Sequence, residues 1–403
     1  MHLHGNAAGP WAGGGRPSMV LIGGTGGRGA QLQDETGVVR QWDNPLSALA
    51  WMEQHVRAKA RPGQRWIGYL GYDLGRLFEH LPQSAQDDLQ MPLFAFGLVD
   101  PDQLKSPPQS TDVRMLGSGK LKSTFDRQGY LQAAERCLEY IRAGDIFQVN
   151  LSQRFEAALP ASVEWIDAAL RRQFPARYGA RLQGDNWALL CNSPELFLQV
   201  RPTMDGGRSI LTRPIKGTRP RQPGQKEALR DSIKDQAELN MIIDLERNDL
   251  GRICEVGSVR VIEPRTIETH PTVYHGVAGI CGILRPEVSF VEMLAATFPG
   301  GSITGAPRIR AMQIIEELEG VRRGPYCGAI GCLCHDGTIQ LNVAIRTMIV
   351  RGQKAYIPVG GGIVADSDPA EEYQETLTKA AALFAALGIE DKLPQEIEKS
   401  LET

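Results

Sequence analysis

Four stretches of the chain place reactive side chains at spacings that could do chemistry. In Thr212-Arg213-Pro214-Ile215-Lys216-Gly217-Thr218, Lys216 follows an apolar, strand-like run and is flanked by Pro214 and Gly217. A lysine held at the end of a rigid strand and partly desolvated is a usable amine nucleophile; an exposed turn lysine is the plain alternative. Two acidic couplets follow, Asp235 with Glu238 and Glu372 with Glu375. Each lies on one face of a predicted helix, and two such faces could meet around a hard cation such as Mg²⁺. Acids near Asp368 and Pro369 also serve a helix N-terminus, which leaves Glu375 the least explained by capping. The third stretch, Phe298 to Pro307, is rich in glycine, contains Ser302 and Thr304, and runs into a predicted helix. Backbone N–H groups at a helix start favour an anion; the pattern is not that of a phosphate loop, so a carboxylate is the better ligand, and a capped turn is the alternative. In the fourth, Gly360, Gly361 and Gly362 interrupt a strand, and Arg346 is the only charge in another. Glycines inside a strand mark a bulge or a close backbone approach, and a buried arginine needs an anion.

The elements that must position these groups are legible in outline. Strand-like runs are predicted at 145–156, 187–200, 208–215, 273–284, 326–334, 338–350 and 354–365. Helical patterns cover 127–143, 226–249, 287–297, 307–319 and 369–387. Residues 64–78 read as a strand and a turn, and Met204 to Gly207 as a hairpin tip. Strands and helices are grouped rather than alternating, which favours α+β. The polar, proline-containing stretch Pro101–Lys122 is the best candidate linker.

Composition narrows the function classes. The 403 residues are 42% hydrophobic and 23% charged, with a formal net charge of −3 and no long basic run. A nucleic-acid partner held by phosphate contacts is not expected. No apolar stretch approaches a membrane span, and the N-terminus does not read as a secretory signal. Seven cysteines without a CxxC spacing argue against a disulfide framework or a zinc site, so a reducing cytoplasm is expected.

Taken together, the motifs resemble those of the chorismate-utilising enzymes, which include anthranilate synthase component I, isochorismate and salicylate synthases, and aminodeoxychorismate synthase component I. The matching segments are GDIFQVNLSQRF (144–155), NSPELF (192–197), TRPIKGTRPR (212–221), AELNMIIDLERNDLGRI (237–253), FPGGSITGAPRIRAMQIIEELE (298–319), IRT (345–347) and GGGIVADSDPAEEYQET (360–376). WIGYLGYDLGRLFE (66–79) extends the likeness toward the N-terminus.

The resemblance implies two packed antiparallel β-sheets flanked by helices. Residues 1–122 would contribute to the sandwich, 123–390 would form the chorismate-binding catalytic region, and 391–403 would be a tail. It implies Mg²⁺ on Glu238 and Glu375, with Asp235 and Glu372 as second acids. Arg346, Tyr326, Ser302 and the strand of Gly360, Gly361 and Gly362 would hold the enolpyruvyl side of the substrate, with Thr304 beside them. His275 would stand near the departing ring hydroxyl, and Glu195 would protonate it.

Two positions choose a branch by the same resemblance. Gln148 stands where the water-using members carry lysine, which favours ammonia. Lys216 stands where anthranilate synthases normally carry alanine, which implies a covalent lysine route to 4-amino-4-deoxychorismate. Neither a Gly-x-Cys-x-Gly elbow nor a downstream His-x-Glu of a glutaminase is found, so a separate glutamine amidotransferase subunit is expected to supply ammonia. The region before residue 64 reads as shorter than in full-length relatives, where early strands help form a tryptophan pocket.

Overall fold

The computed structural model describes residues 2–5, 13–24, 29–100 and 121–389. The predicted tail, 391–403, and nearly all of the predicted linker lie outside the described residues. The strands of the first part are β1 (His2–Gly5), β2 (Gly13–Gly15), β3 (Met19–Gly23), β4 (Ala30–Asp34), β5 (Gly37–Trp42), β6 (Arg65–Leu70), β7 (Phe94–Val99), β8 (Lys122–Ser123) and β9 (Gln148–Ala158). They continue with β10 (Tyr178–Gln183), β11 (Trp187–Ser193), β12 (Leu196–Pro202), β13 (Arg208–Arg213), β14 (Ile215–Pro220), β15 (Arg260–Thr269) and β16 (Val273–Leu284). The last are β17 (Gly305–Ala306), β18 (Ala329–Cys334), β19 (Ile339–Val343), β20 (Thr347–Arg351) and β21 (Lys354–Ile363). The helices are α1 (Pro45–Ala58), α2 (Arg127–Arg142), α3 (Val163–Gln173), α4 (Gln225–Asp231), α5 (Ile233–Gly251), α6 (Phe290–Thr297), α7 (Arg308–Leu318) and α8 (Pro369–Ala386).

Two antiparallel sheets face each other. One runs β17-β9-β21-β20-β11-β10-β1-β2, with β8 also on β9; the other runs β14-β16-β13-β12-β19-β18-β6-β7-β3-β4-β5, with β15 also on β16. Strands before residue 100 therefore enter both sheets. Between the sheets lie Ile67, Tyr69, Leu182, Leu189, Ile330 and Ile349. The outer face of the first sheet packs Phe155 and Ile357 on Ile166 of α3 and Leu383 and Phe384 of α8. The outer face of the second packs Leu21, Phe96 and Ile280 beneath α1, α5 and α6. The chain thus has the α+β architecture expected, two sheets flanked by helices, because each sheet has an apolar face for its partner and another for its helices.

Three runs read as continuous from sequence are each split. The helical run 226–249 breaks at Ser232, which is extended (φ −69°, ψ 110°) and caps α5 by accepting from Asp235 N. The strand runs 187–200 and 338–350 break because the chain changes sheets within each. Periodicity reports a buried strand but not which sheet owns it. Two helices fall where the sequence analysis names none, α1, capped by Asn44 ahead of Pro45, and α3, capped by Ser162. All seven cysteines are free, and no described helix is long and apolar enough to cross a membrane.

Candidate active site

Glu195 and Arg346 sit on the two steps between sheets. β11 leads through Pro194-Glu195 into β12, and β19 leads back through Ala344–Arg346 into β20. The steps are locked to each other: Asn192 N donates to Arg346 O at 3.0 Å and Val343 N to Glu195 O at 3.1 Å. Arg346 takes φ +47°, an uncommon conformation for a residue with a side chain. Glu195 is buried, and Ser302 Oγ donates to its Oε1 at 2.7 Å. Burial disfavours the Glu195 anion more than Ser302, Lys216, the Ile215 N–H and Arg346 favour it, so the carboxyl is pushed up to about 7. A carboxyl still partly protonated at neutral pH can donate a proton to a leaving oxygen. Burial also lowers the proton affinity of Arg346, and Glu195 opposes that effect.

Lys216 lies on a bulge rather than at a strand end. β13 and β14 run along one edge of β16, broken at Pro214; the pairing passes from Ile215 with Val277 to Thr218 with His275, so Lys216 and Gly217 together face Gly276. Gly217 takes φ +81°, and a Cβ there would sit 2.8 Å from Asp235 Cγ. Such a bulge re-aims the side chain of the extra residue. Lys216 Nζ lies 3.7 Å from Glu238 Oε2, with only 11% of the side chain exposed. His275, on the paired strand, is buried, with Nδ1 2.9 Å from Thr218 Oγ1. Burial, with help from Arg346 and His270, pushes its pKa down to about 3, so the ring is neutral at physiological pH.

The glycine strand meets the lysine from the other sheet. β21 pairs with β9 in unbroken register, Gly362 opposite Asn150 and Gly360 opposite Ser152. Close approach, not a bulge, is therefore the reason for the glycines. A Cβ on Gly362 would lie 3.1 Å from Lys216 Nζ and 3.3 Å from the Gln148 amide; one on Gly361 would lie 2.9 Å from Glu372 Oε2. The Gln148 side chain is fully buried, and both its polar atoms lack a hydrogen-bond partner, as does Asn150 Oδ1. Buried polar groups are rarely left so unless a ligand or water completes them.

The two acidic couplets converge, each with a division of labour. Asp235 is taken by Arg219 at 2.8 Å. Glu372 is buried, accepts from Ser367 Oγ at 2.6 Å, lies 3.8 Å from Lys234 and is raised by burial. Glu238 faces Lys216, and Glu375 faces Lys379 at 2.6 Å. Burial works against the Glu375 anion, but Lys379, Lys216 and Lys234 outweigh it and hold the carboxyl below its usual range. Among the described residues no three His, Cys, Asp or Glu side chains are set to hold a metal ion. Mg²⁺ commonly takes only one or two carboxylates and fills its shell with water and substrate oxygens. Glu238 and Glu375, both acting on one ammonium, fit that kind of donor set.

The loop before α7 is braced from below. Thr304 is fully buried and its hydroxyl donates to Gly300 O at 2.9 Å, which shapes the loop; Ser302 instead serves Glu195. Arg323 donates to Ile303 O and Asn150 O and pairs with Glu319, whose Oε1 also accepts from Ser152 N. Tyr326 is buried three residues beyond that arginine. Sequence reasoning passed over Asn150, Thr218, Lys379 and the Glu319–Arg323 pair. Asn150 shares a strand face with Gln148, and Glu375 and Lys379 are four apart on α8, so spacing held the signal for these; Glu319 and Arg323 are also four apart, but across the end of α7, where only the fold shows that they meet.

Comparison with known proteins agrees with this geometry. Residues 27–385 match the family model described as chorismate binding enzyme. The chain is 37% identical to anthranilate synthase component 1 of Thermus thermophilus, covering 93% of this chain and 90% of that protein. It is 39% identical to aminodeoxychorismate synthase component 1 of Klebsiella aerogenes, covering 92% and 89%. Its fold superposes on the crystal structure of anthranilate synthase component I from Streptococcus pneumoniae with a TM-score of 0.77, at 29% identity, covering 92% and 90%. A chain that carries these motifs, this double sheet and these near full-length matches belongs to the chorismate-binding enzyme family.

Proposed function

We propose that the chain is the chorismate-aminating component of an aminodeoxychorismate synthase and that Lys216 is its nucleophile. The observation that carries this reading is the position of Lys216 Nζ, 3.7 Å from Glu238 and 3.1 Å from where a Gly362 Cβ would be. A bystander lysine would not need a bulge on one sheet and a bare glycine backbone on the other.

The chemistry divides among the residues as follows. Glu238 and Glu375 would hold Mg²⁺, which when bound neutralises the ring carboxylate of chorismate. Arg346 and the Gly360–Gly362 backbone receive the enolpyruvyl carboxylate, and Gln148 and Asn150 gain partners from substrate or ammonia. The amine form of Lys216 attacks C2, both conjugated ring double bonds shift round the ring toward C4, and the C4 oxygen leaves as water with the proton of Glu195. Ammonia then attacks C4, both double bonds shift back, and the Lys216 amine departs from C2. Chorismate and ammonia become 4-amino-4-deoxychorismate and water, two easier displacements replacing one. A glutamine amidotransferase subunit would supply the ammonia.

Relatives of both names match equally well, so a second reading stands beside the first: ammonia enters at C2 directly and the product is anthranilate. Mass spectrometry of the protein exposed to chorismate and Mg²⁺ without ammonia tests the choice. A chorismate-derived adduct on the peptide containing Lys216 is expected. Unmodified peptide, together with anthranilate as the product when ammonium is added, would establish the second reading.

A further inference from the structure

One residue of the site is fixed by its backbone while its side chain is left unmet. Asn150 N donates to Thr304 O at 2.8 Å, and Asn150 O accepts from Arg323 Nη2 at 2.6 Å. The residue is 8% exposed, yet Oδ1, itself buried, has no hydrogen-bond partner among the described residues. A buried acceptor in that state is costly until a ligand or water supplies a donor. The register fixes where this oxygen stands. Asn150 is the cross-strand partner of Gly362, and Gly360 that of Ser152. Cross-strand partners point to one face, as do residues two apart, so Gln148, Asn150, Gly360 and Gly362 share a face. Lys216 comes to that same face. A Cβ on Gly362 would lie 3.1 Å from Lys216 Nζ and 3.3 Å from the Gln148 amide, whereas one on Gly360 would lie 2.9 Å from Asn150 Oδ1. The lysine therefore ends beside Gln148, and the unmet oxygen of Asn150 is presented further along, over the next bare glycine.

We propose that Asn150 Oδ1 holds the incoming ammonia for its attack at C4, which makes Asn150 a determinant of the product. The proposal rests on the reading of Lys216 as the nucleophile at C2. Ammonia has three N–H bonds and one lone pair. A group that donates to it masks the lone pair, whereas a carbonyl oxygen can only accept: it fixes one N–H and leaves the lone pair free to attack. In Asn150 the buried atom without a partner is that oxygen; in Gln148 both amide atoms are without one. C4 is two ring positions from C2, so its nucleophile must be held to one side of Lys216, and Asn150 Oδ1 is the unmet acceptor offset along the shared face. In the step itself the lone pair bonds C4 and both ring double bonds shift back. The bond from C2 to the Lys216 nitrogen breaks with its electron pair on that nitrogen, which takes the proton shed by the new C4 amine. Asn150 keeps its hydrogen bond and transfers no proton.

The test is N150L, which removes the acceptor at similar volume, with N150D keeping an oxygen in its place. With ammonium chloride as the nitrogen source, N150L should raise the KM for ammonium roughly 10- to 100-fold while the KM for chorismate stays within about twofold. N150D should recover most of the loss. Exposed to chorismate and Mg²⁺ without ammonia, N150L should still form the adduct on Lys216, because Asn150 acts only in the second displacement. Should N150L not fold, N150A carries the same comparison. An unchanged KM for ammonium, or the two KM values rising together as a purely structural role would make them, overturns the proposal. The adduct also separates this failure from that of the underlying reading. Wild-type protein that forms the adduct, with an unmoved ammonium KM in N150L, overturns Asn150 alone. Wild-type protein that forms no adduct and yields anthranilate overturns Lys216 as the nucleophile and, with it, the assignment of ammonia to C4.

Discussion

Two buried glutamates, Glu195 in the candidate site and Glu319 behind it, are hidden almost equally and are treated in opposite ways. Glu319 is 5% exposed and has Arg323 at 2.6 Å, with Ser152 N–H on the same carboxylate. Glu195 is 4% exposed and has a serine hydroxyl at 2.7 Å and cations only at longer range. The first is an anion satisfied by the fold, tying α7 to β9 and to the loop of Ile303. The second keeps a proton that the fold does not need and that the proposed chemistry would use. The difference separates buried charge that builds the site from buried charge that works in it.

Several experiments would break or sharpen that contrast. The largest effect is expected for Lys216→Ala, which should cut 4-amino-4-deoxychorismate formation on the order of 10⁴-fold or more, read by product chromatography. Unchanged rate and product would remove Lys216 from the mechanism. Glu195→Gln should lower kcat by about 10²- to 10⁴-fold, and wild-type activity should decline as pH rises through about 7. Its effect on stability has the opposite sense. The Glu195 carboxyl is raised from 4.5 to about 7 on folding, so its contribution is fully present below 4.5 and is lost as pH rises toward 7. Thermal melts across that window should therefore show E195Q gaining on wild type. Arg323→Met should instead destabilise at neutral pH, by about 3–5 kcal/mol, because it strands Glu319 in the interior; a shift within error would mean that corner is not the brace described here. Glu238→Gln or Glu375→Gln should raise the Mg²⁺ needed for half-maximal turnover by roughly 10- to 100-fold, and an unchanged Mg²⁺ titration would remove them as ligands.

Much of this was legible in the chain. The couplets Asp235/Glu238 and Glu372/Glu375, the loop with Ser302, the glycines at 360–362 and Arg346 are conspicuous by type and spacing, and the structure gathers them. The pairing of function within them was not. Nothing in the spacing shows that Asp235 is spent on Arg219, or that the Thr304 hydroxyl stays in its own loop. Lys216 read as the end of a strand because a bulge needs the partner strand to be seen. The runs 187–200 and 338–350 read as single strands because a step between two buried sheets keeps the same apolar character on both sides.

Local chemistry thus determined what the sequence alone could determine: the secondary elements in outline, the α+β class, the cap at Asp368, and the identities of the reactive groups. These depend on near neighbours and on a repeat of two or 3.6 residues. Tertiary structure alone decided which carboxyls are paired and which keep a proton, since proton affinity follows desolvation and charges brought from distant segments. Glu195, Lys216 and Ser302 span 107 residues of chain, and only the fold places them within reach of one another.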